Sequence, residues 1–465
     1  MTPGAALPVI DALVIGGGVS GLTAAFRLQR AGHAVTVLDA NPEAGGVMGT
    51  RRHEGFLYET GPNSTLDSTP LIDRLLTDLG IGDERRDADA VAGIRYIVRG
   101  GALHALPSSP GSMLTTHAFT AGAKWKILCE PFVPPSPSDA DETIAQFVRR
   151  RLGNEFLDYA IDPFVSGIYA GDPERISVRA AFPKLFALEQ RYGSLIKGQI
   201  KGARERREAA GGRKGPAPSF SFAEGMQTLP AALARAVASV QQDVRVTAIG
   251  TDAGGTYRVD AERAGAPLAF RARAVVLAVP AGPASLLVRG IAPAAADALA
   301  AIEYAAVSVV ASAYRRADVG HSLAGFGFLV PRRENRRILG TLFSSSMFRG
   351  RAPEGSVLMT TFVGGRRNPD LPGLPDAELS RLVHDEFAAL LAAKAPAQWT
   401  RVTRWPQAIP QYDLGHLGRV SHVDAAEAAL PGLHFCASWR GGVSVGDRIL
   451  RAHATAETVA KQLAR

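Results

Sequence analysis

The sequence predicts a mixed α/β and α+β chain: a discontinuous Rossmann-like dinucleotide-binding unit, a sheet-based second domain and a helical segment between them. Three observations predict it. Residues 11–15 (DALVI) form a short apolar run that enters Gly16-Gly17-Gly18-Val19-Ser20-Gly21, and the chain continues as LTAAFRLQRAG with apolar residues at helical spacing. Residues 34–38 (AVTVL) are a second apolar strand ending at Asp39, which completes a βαβ unit. Strand-like alternation then dominates residues 305–314, 325–330, 338–343 and 357–363, far from the first unit in sequence.

The remaining elements follow from the same periodicities. Helical patterns recur over residues 68–80, 141–153 and 376–393, and the chain closes with a strand, LHFCA, and a helix over 447–463. Residues 221–238 lead into a helix, 244–249 form a strand, and 257–279 form a hairpin ending in AVVLAV. These spans predict a dinucleotide-binding domain from 1–86, 217–290 and 400–465. They leave a helical cap over 87–216 and a substrate domain over 291–399.

Composition narrows the class. With 465 residues, 46% apolar and 21% charged, the chain folds rather than staying disordered. Two cysteines, Cys129 and Cys436, provide no disulfide framework, no CxxC pair and no cysteine zinc site. The ten histidines show no metal-ligand spacing, so no metal is expected. No apolar run reaches the ~18 residues of a membrane span, and the N-terminus lacks a basic start, so a cytoplasmic address is expected. The formal charge of +8 is uneven. Arg191, Lys197, Lys201, Arg204, Arg206, Arg207, Arg213 and Lys214 crowd residues 190–216 against Glu205 and Glu208. The stretch reads first as a solvated loop and second as a contact for anionic lipid head groups, each basic residue contributing about 1 kcal/mol. Residues 193–216 hold no aromatic side chain to stack a base, so nucleic acid is not expected.

The glycine fingerprint carries the first chemistry. Gly16 permits the tight turn, Gly18 lets a pyrophosphate approach the backbone, and Gly21 allows the helix to pack on the strand. The helix N-terminus, with Ser20 in its first turn, offers free N–H groups to the anion. Asp39, 18 positions after Gly21, would accept from a ribose hydroxyl. No second strand-GxGxxG-helix unit follows, so a separate NADPH domain is not expected.

NPEAGGVM (residues 41–48), AVVLAVP (274–280) and GGVSVGDRI (441–449) resemble the amine oxidase-like flavoproteins, in which a loop after the second strand folds over FAD. FLYETGPNS (56–64), residues 162–198, GFGFLVP (325–331), LGTLFSSSMF (339–348), TTFVGG (360–365) and AIPQYDLGH (408–416) sharpen this. In order, and along nearly the whole chain, they resemble the oxygen-dependent protoporphyrinogen oxidase family.

The resemblance implies non-covalently bound FAD. Its contacts would be Gly16, Gly18, Ser20, Gly21, Asp39, Ala40, Gly46, Val47, Gly61, Pro62, Asn63, Val246, Trp405, Val443 and Val445. It implies a porphyrinogen substrate, most directly protoporphyrinogen IX and alternatively coproporphyrinogen III. Arg95 would pair with a propionate, Leu329, Leu342 and Phe362 would hold the pyrrole rings, and Gly167 would leave room for the macrocycle. Dioxygen would be the oxidant, with a quinone as the alternative, and a ferrochelatase-type partner, a membrane surface and a monomer or homodimer are its further expectations. No catalytic base stands out. In the group, amine oxidation relies on a lysine near the flavin; this chain has none between Lys214 and Lys394. Two departures from the family pattern fall near the flavin end of the last helix: Ala437-Ser438-Trp439 and Arg448.

Overall fold

The computed structural model describes residues 7–107, 119–137, 141–202, 217–252 and 254–465. From the N-terminus, β1 (Val9–Ile15), α1 (Val19–Arg30) and β2 (Val35–Leu38) form the βαβ unit, and β3 (Arg95–Arg99) and β4 (Ala102–Ala105) form a hairpin. A helical stretch follows with α2 (Ala121–Leu128), α3 (Ile144–Arg151), α4 (Asp162–Tyr169), α5 (Pro183–Tyr192) and α6 (Leu195–Lys201). The strands β5 (Val240–Gln241), β6 (Arg245–Asp252), β7 (Thr256–Arg263) and β8 (Ala266–Leu277) return to the first unit. Next come β9 (Tyr304–Arg315), β10 (Gly327–Leu329), β11 (Ile338–Leu342), β12 (Ser356–Gly364), α7 (Asp376–Leu391) and β13 (Trp399–Pro410). The chain ends with α8 (His416–Ala429), β14 (Leu433–Phe435) and α9 (Val445–Leu463).

Two seven-stranded sheets organise these elements. The first runs β5-β2-β1-β8-β7-β6, with β14 beside β8. Its β5, β2, β1, β8 and β14 are parallel, and β6–β7–β8 is an antiparallel meander. Near-continuous apolar runs suit strands buried on both faces. Ala12 and Val14 enter a core with α1 and α9, while Leu13 and Ile15 enter another with α8 and the helices Ala281–Val288 and Pro293–Ala300. The second sheet runs β13-β9-β12-β11-β10-β3-β4. One of its faces, with Val310, Phe328, Val330, Met359 and Val363, is sealed by α7.

Three boundaries differ from the sequence expectation: Pro293–Ala300, expected in the substrate domain over 291–399, packs in the core of the first unit with Leu13 and Ile15, because its apolar face meets the helix Ala281–Val288, and two strand assignments change as well. The hairpin β3–β4 belongs to the second sheet instead of a helical cap, because β3 pairs in parallel with β10, more than 200 residues away. Local periodicity carries no trace of such a partner. Likewise β13 joins that sheet through β9, not the first unit. It is half exposed and contains Pro406, which an edge strand tolerates because one row of its backbone groups needs no partner.

Among the described residues no helix is long and apolar enough to cross a membrane. Most of the basic stretch, residues 203–216, lies outside the described residues. Within the described part, Lys197 Nζ donates to Pro131 O at 2.9 Å.

Candidate cofactor and substrate site

The glycine turn is built as the fingerprint requires. Gly16 has φ +111°, a region costly for a side chain, and its N–H donates to Leu38 O at 2.8 Å. A Cβ on Gly21 would drive into Gly16 O. α1 begins at Gly18 with no side chain capping it, so its first N–H groups are left for a ligand. Gly45 N donates to Gly17 O at 2.8 Å and Gly45 bridges Gly18, so the loop after β2 does fold back over the turn. A Cβ on Gly18 would meet only Gly46 Cα, at 3.9 Å. The turn therefore holds a cradle lined by backbone and open to an anion.

Asp39 is buried and already engaged. It accepts from Gly17 N and, through Oδ1, from Asn41 N at 2.7 Å and Asn41 Nδ2 at 2.9 Å. Its first task is to hold the turn against β2. Ala40 is exposed beside it, and Val47 is 44% exposed. Val244 N donates to Asp39 O at 2.9 Å, which brings the start of β6, with half-buried Val246, alongside. Ser20 and Val445 are buried, at the N-terminal ends of α1 and α9.

A second stretch approaches the sheet. A Cβ on Gly61 would run into Val47 O, which ties Gly61 and Pro62 to the folded-back loop. Trp405 Nε1 donates to Thr60 O at 2.7 Å and fixes the tryptophan against the same stretch. A cavity of ≈ 390 Å³ opens between Gly46, Met48, Gly49, Thr60, Gln227 and Trp405. Asn63 is buried, and its Oδ1 accepts from Ser344 Oγ at 3.1 Å and Thr360 Oγ1 at 3.3 Å.

Register then decides which residues share the second sheet's other face. Arg95, Gly327, Leu342 and Thr360 form one row across β3, β10, β11 and β12, and Leu329, Gly340 and Phe362 form the next. Residues two apart on a strand share a face, so all seven do, and so does Trp405, which pairs with Val307 two residues before Phe362's partner Val309. Leu329, Leu342 and Phe362 are each only half buried, whereas the alternating Phe328, Val330, Thr341, Phe343, Thr361 and Val363 are at most 2% exposed. Plain core would bury both sets. The face is open, and Asn63 meets it at Thr360.

Gly167 faces this surface from α4, where a Cβ would lie 2.8 Å from Leu329 Cδ2. Arg367 holds the approach: it donates to Val330 O at 2.7 Å, Asp162 Oδ2 at 2.9 Å and Ser166 Oγ at 2.6 Å. Burial pushes the Asp162 carboxyl up, and the Arg367 guanidinium opposes that. A π turn over Leu157–Ile161 feeds into α4, a distortion that recurs at functional sites. Arg95 is exposed at the rim, its guanidinium 5.1 Å from the centre of the Phe326 ring, and it forms no ion pair with a described residue.

The sequence reading missed what stands behind the start of α9. The carbonyls of Ala437, Ser438, Trp439 and Arg440 accept in turn from Arg448 Nη1, Tyr412 OH (2.6 Å), His416 Nε2 (2.9 Å) and Arg448 Nη2 (3.0 Å). Tyr412 and His416 stack at 4.2 Å, and Gly442 N donates to Tyr412 OH at 3.0 Å. Half-buried Val443 follows. The signal was there in AIPQYDLGH and in Arg448 as a departure, but only tertiary contact joins them.

His416 also sets an acid response. Burial pulls its pKa from 6.5 down to about 4. The unfolded chain takes up that proton near pH 6.5 and the folded one only near pH 4, so stability falls with pH through this window, by about 1.4 kcal/mol per unit. Buried Glu59 acts oppositely: desolvation raises its carboxyl to about 7, so the folded state keeps a proton that the unfolded one releases above pH 4.5. His416→Gln keeps a donor for Trp439 O and removes only the first effect. From pH 7 to 5 the variant should gain about 2 kcal/mol relative to the parent, read from denaturant melts. A constant difference between the two pH values would show that His416 titrates normally.

Comparison with known proteins gives the family. Residues 19–460 match the sequence pattern of the flavin containing amine oxidoreductases, and the chain belongs to that family, within its protoporphyrinogen oxidase branch. It is 32% identical to protoporphyrinogen oxidase 2, chloroplastic/mitochondrial, of Arabidopsis thaliana, over 97% of this chain and 94% of that protein. It is 26% identical to coproporphyrinogen III oxidase of Bacillus subtilis (strain 168), over 94% of this chain and 95% of that one. A solved chain from Exiguobacterium sp. 255-15 has the same fold, with TM-score 0.81 and 24% identity over 98% of this chain and 100% of that one. So does cyclohexylamine oxidase from Brevibacterium oxydans IH-35A, with TM-score 0.71 and 17% identity over 98% and 100%. A flavin is the cofactor this family implies, and the uncapped, backbone-lined turn at Gly18 fits its phosphates.

Proposed function

We propose that the chain binds FAD non-covalently and oxidises a porphyrinogen to a porphyrin, with dioxygen as the final acceptor. The single observation that carries the substrate is the open sheet face: Leu329, Leu342 and Phe362 left half buried beside glycines at 327 and 340, meeting the Gly61–Asn63 stretch at Thr360. A flat macrocycle needs apolar walls with nothing protruding from the floor.

When bound, the flavin supplies a two-electron acceptor for hydride. The chain's own residues do the rest. Backbone N–H groups at the start of α1 hold the pyrophosphate, with Gly16, Gly21 and Asp39 keeping the turn in shape. The Gly46–Val47 loop covers it, and Val246 flanks the adenosine end. Gly61, Pro62, Asn63, Trp405, Val443 and Val445 surround the ring. Leu329, Leu342 and Phe362 exclude water from the porphyrinogen, Gly167 gives it clearance, and Arg95 orients it by binding a propionate bidentately. Among the described residues Arg95 lacks a carboxylate partner, whereas Arg332, Arg366 and Arg367 are each paired with acids. At this rim, a guanidinium without an acid partner among the described residues favours a substrate with its carboxylates at one end, protoporphyrinogen IX, over one with four propionates spread around the ring.

Exposed Trp125, Leu128, Phe132 and Ile200, on helical elements that touch one another, support peripheral contact with a membrane surface, and a metal-inserting enzyme is a fitting consumer of the product.

An aerobic fluorescence assay comparing protoporphyrinogen IX with coproporphyrinogen III tests the reading. Faster porphyrin formation from the first is expected, and Arg95→Ala should raise its KM about tenfold with flavin content unchanged, the loss of one charge-assisted contact. Yellow protein inert toward both, or Arg95→Ala protein that sheds flavin at normal KM, would refute it.

A further inference from the structure

Arg448, near the start of α9, is 4% exposed and carries a charge that no acid among the described residues pairs with. Its two Nη groups donate to Ala437 O and Arg440 O, and its Nε is buried without a partner. It forms no ion pair among the described residues. Asp447, next in sequence, is turned to Ser444 Oγ at 2.6 Å, and the acids nearest Arg440, Asp424 and Glu427, are taken by Arg440 itself. Around Arg448 stand Tyr412, Cys436 and Trp439, all buried, and its charge acts to lower the pKa of Tyr412 and Cys436 against the upward push of burial.

Other deeply buried arginines contrast with it. Arg151 has Glu130 and Glu189, and Arg367 has Asp162. Taking a cation out of water costs several kcal/mol, which a counter-charge normally offsets. Two carbonyls offset part of it. A missing anion is therefore a property of this position, at the base of the helix whose N-terminal end the flavin would face.

We propose that Arg448 is the counter-charge for the reduced flavin and raises its reduction potential. The inference rests on the flavin placement given under the proposed function. Hydride moves with both electrons of its C–H bond to a neutral ring, leaving the substrate carbon electron-deficient and the ring with one added negative charge. A fixed cation in a water-poor site stabilises that charge without reorganising when it appears. The N-terminal dipole of α9 acts in the same sense. Arg448 is a positioning residue that acts through the Ala437–Arg440 segment and through its field.

The test is the two-electron midpoint potential of the purified holoprotein, titrated against a reference dye, together with flavin content and melting temperature. Arg448→Met, apolar and of similar length, should lower the equilibrium constant for reduction at least tenfold, about 30 mV for a two-electron couple. Arg448→Lys, which keeps the charge and gives up the fork, should stay within about threefold of the parent, or ~15 mV. If Arg448→Met sheds its flavin, Arg448→Gln, which still can donate to Ala437 O, provides the neutral arm. An unchanged potential in the neutral variant overturns the proposal, and so does an equal drop in the neutral and Lys variants, which would make Arg448 only a clamp on the loop. A parent that binds no flavin overturns this inference and the proposed function together. A yellow parent inert toward both porphyrinogens, but showing the neutral-variant shift, refutes the substrate reading and supports the role of Arg448.

Discussion

Gly18→Val should give a folded, colourless protein. Gly18 has φ −76° and ψ 175°, extended backbone that valine adopts readily, and a Cβ there meets nothing of the chain closer than Gly46 Cα at 3.9 Å. The branched side chain therefore leaves the empty turn undisturbed and occupies the space through which a pyrophosphate reaches the first N–H groups of α1. Flavin content should fall below about a tenth of the parent's, equivalent to losing ~1.4 kcal/mol or more of binding, with the melting temperature of cofactor-stripped protein unchanged. Gly21→Val is the contrasting variant: its Cβ runs into Gly16 O, so the stripped protein itself should lose stability. Absorbance near the flavin band and a thermal melt of each variant separate the two cases. A yellow Gly18→Val protein would mean that the anion lies elsewhere.

The second large effect concerns the helical segment. Arg151, Glu130 and Glu189 are all fully buried. Arg151 Nη1 meets Glu130 Oε1 at 2.5 Å, its Nε meets Glu189, and its Nη2 donates to Gly193 O at 3.0 Å. Glu130 also accepts from Ser194 Oγ, Leu195 N and Ile196 N. Burial works against its charged form, but these donors and Arg151 hold its carboxyl below the usual range. One guanidinium thus pins α3, the turn after α2, the end of α5 and the start of α6. Arg151→Ala leaves Glu130 buried without its cation and Glu189 with Arg150 alone, and breaking a buried pair in this way costs about 3–5 kcal/mol. Limited proteolysis should cut the segment between α2 and α6 while both sheets resist, and the melting temperature should drop. Parent-like proteolysis and melting would show that the network contributes nothing net.

What could be read from the sequence divides along a physical line. The βαβ unit was legible because its signals are local: apolar strand, glycine turn, helical spacing, acid at Asp39. The apolar face was legible in part, since alternation in GFGFLVP and TTFVGG marks two-faced strands, but only pairing shows that Leu329, Leu342 and Phe362 lie together on the face α7 does not cover. Arg95 was placed by resemblance; the β3–β10 pairing that puts it in the row of Leu342 leaves no periodic mark. The Arg151 network was invisible for a related reason. Read alone, Arg149-Arg150-Arg151 is a charged helix end, and its partners are 21 and 38 residues away. Arg448 stood out as a residue type, yet nothing in the string of letters says that its charge is unmatched.

The parallel pairing of β3 with β10 has a further consequence. Because the strand bearing Arg95 is hydrogen-bonded into the same sheet as Leu329, Leu342 and Phe362, the proposed anchor for a carboxylate and the proposed floor beneath the ring keep a constant separation, as marks on a ruler do. Differences in the size of an incoming molecule must then be absorbed from the other side, by α4 and the helices joined to it. Tolerance for larger or smaller macrocycles is accordingly a trait to be altered by mutating the helical roof, with the sheet left as the fixed gauge.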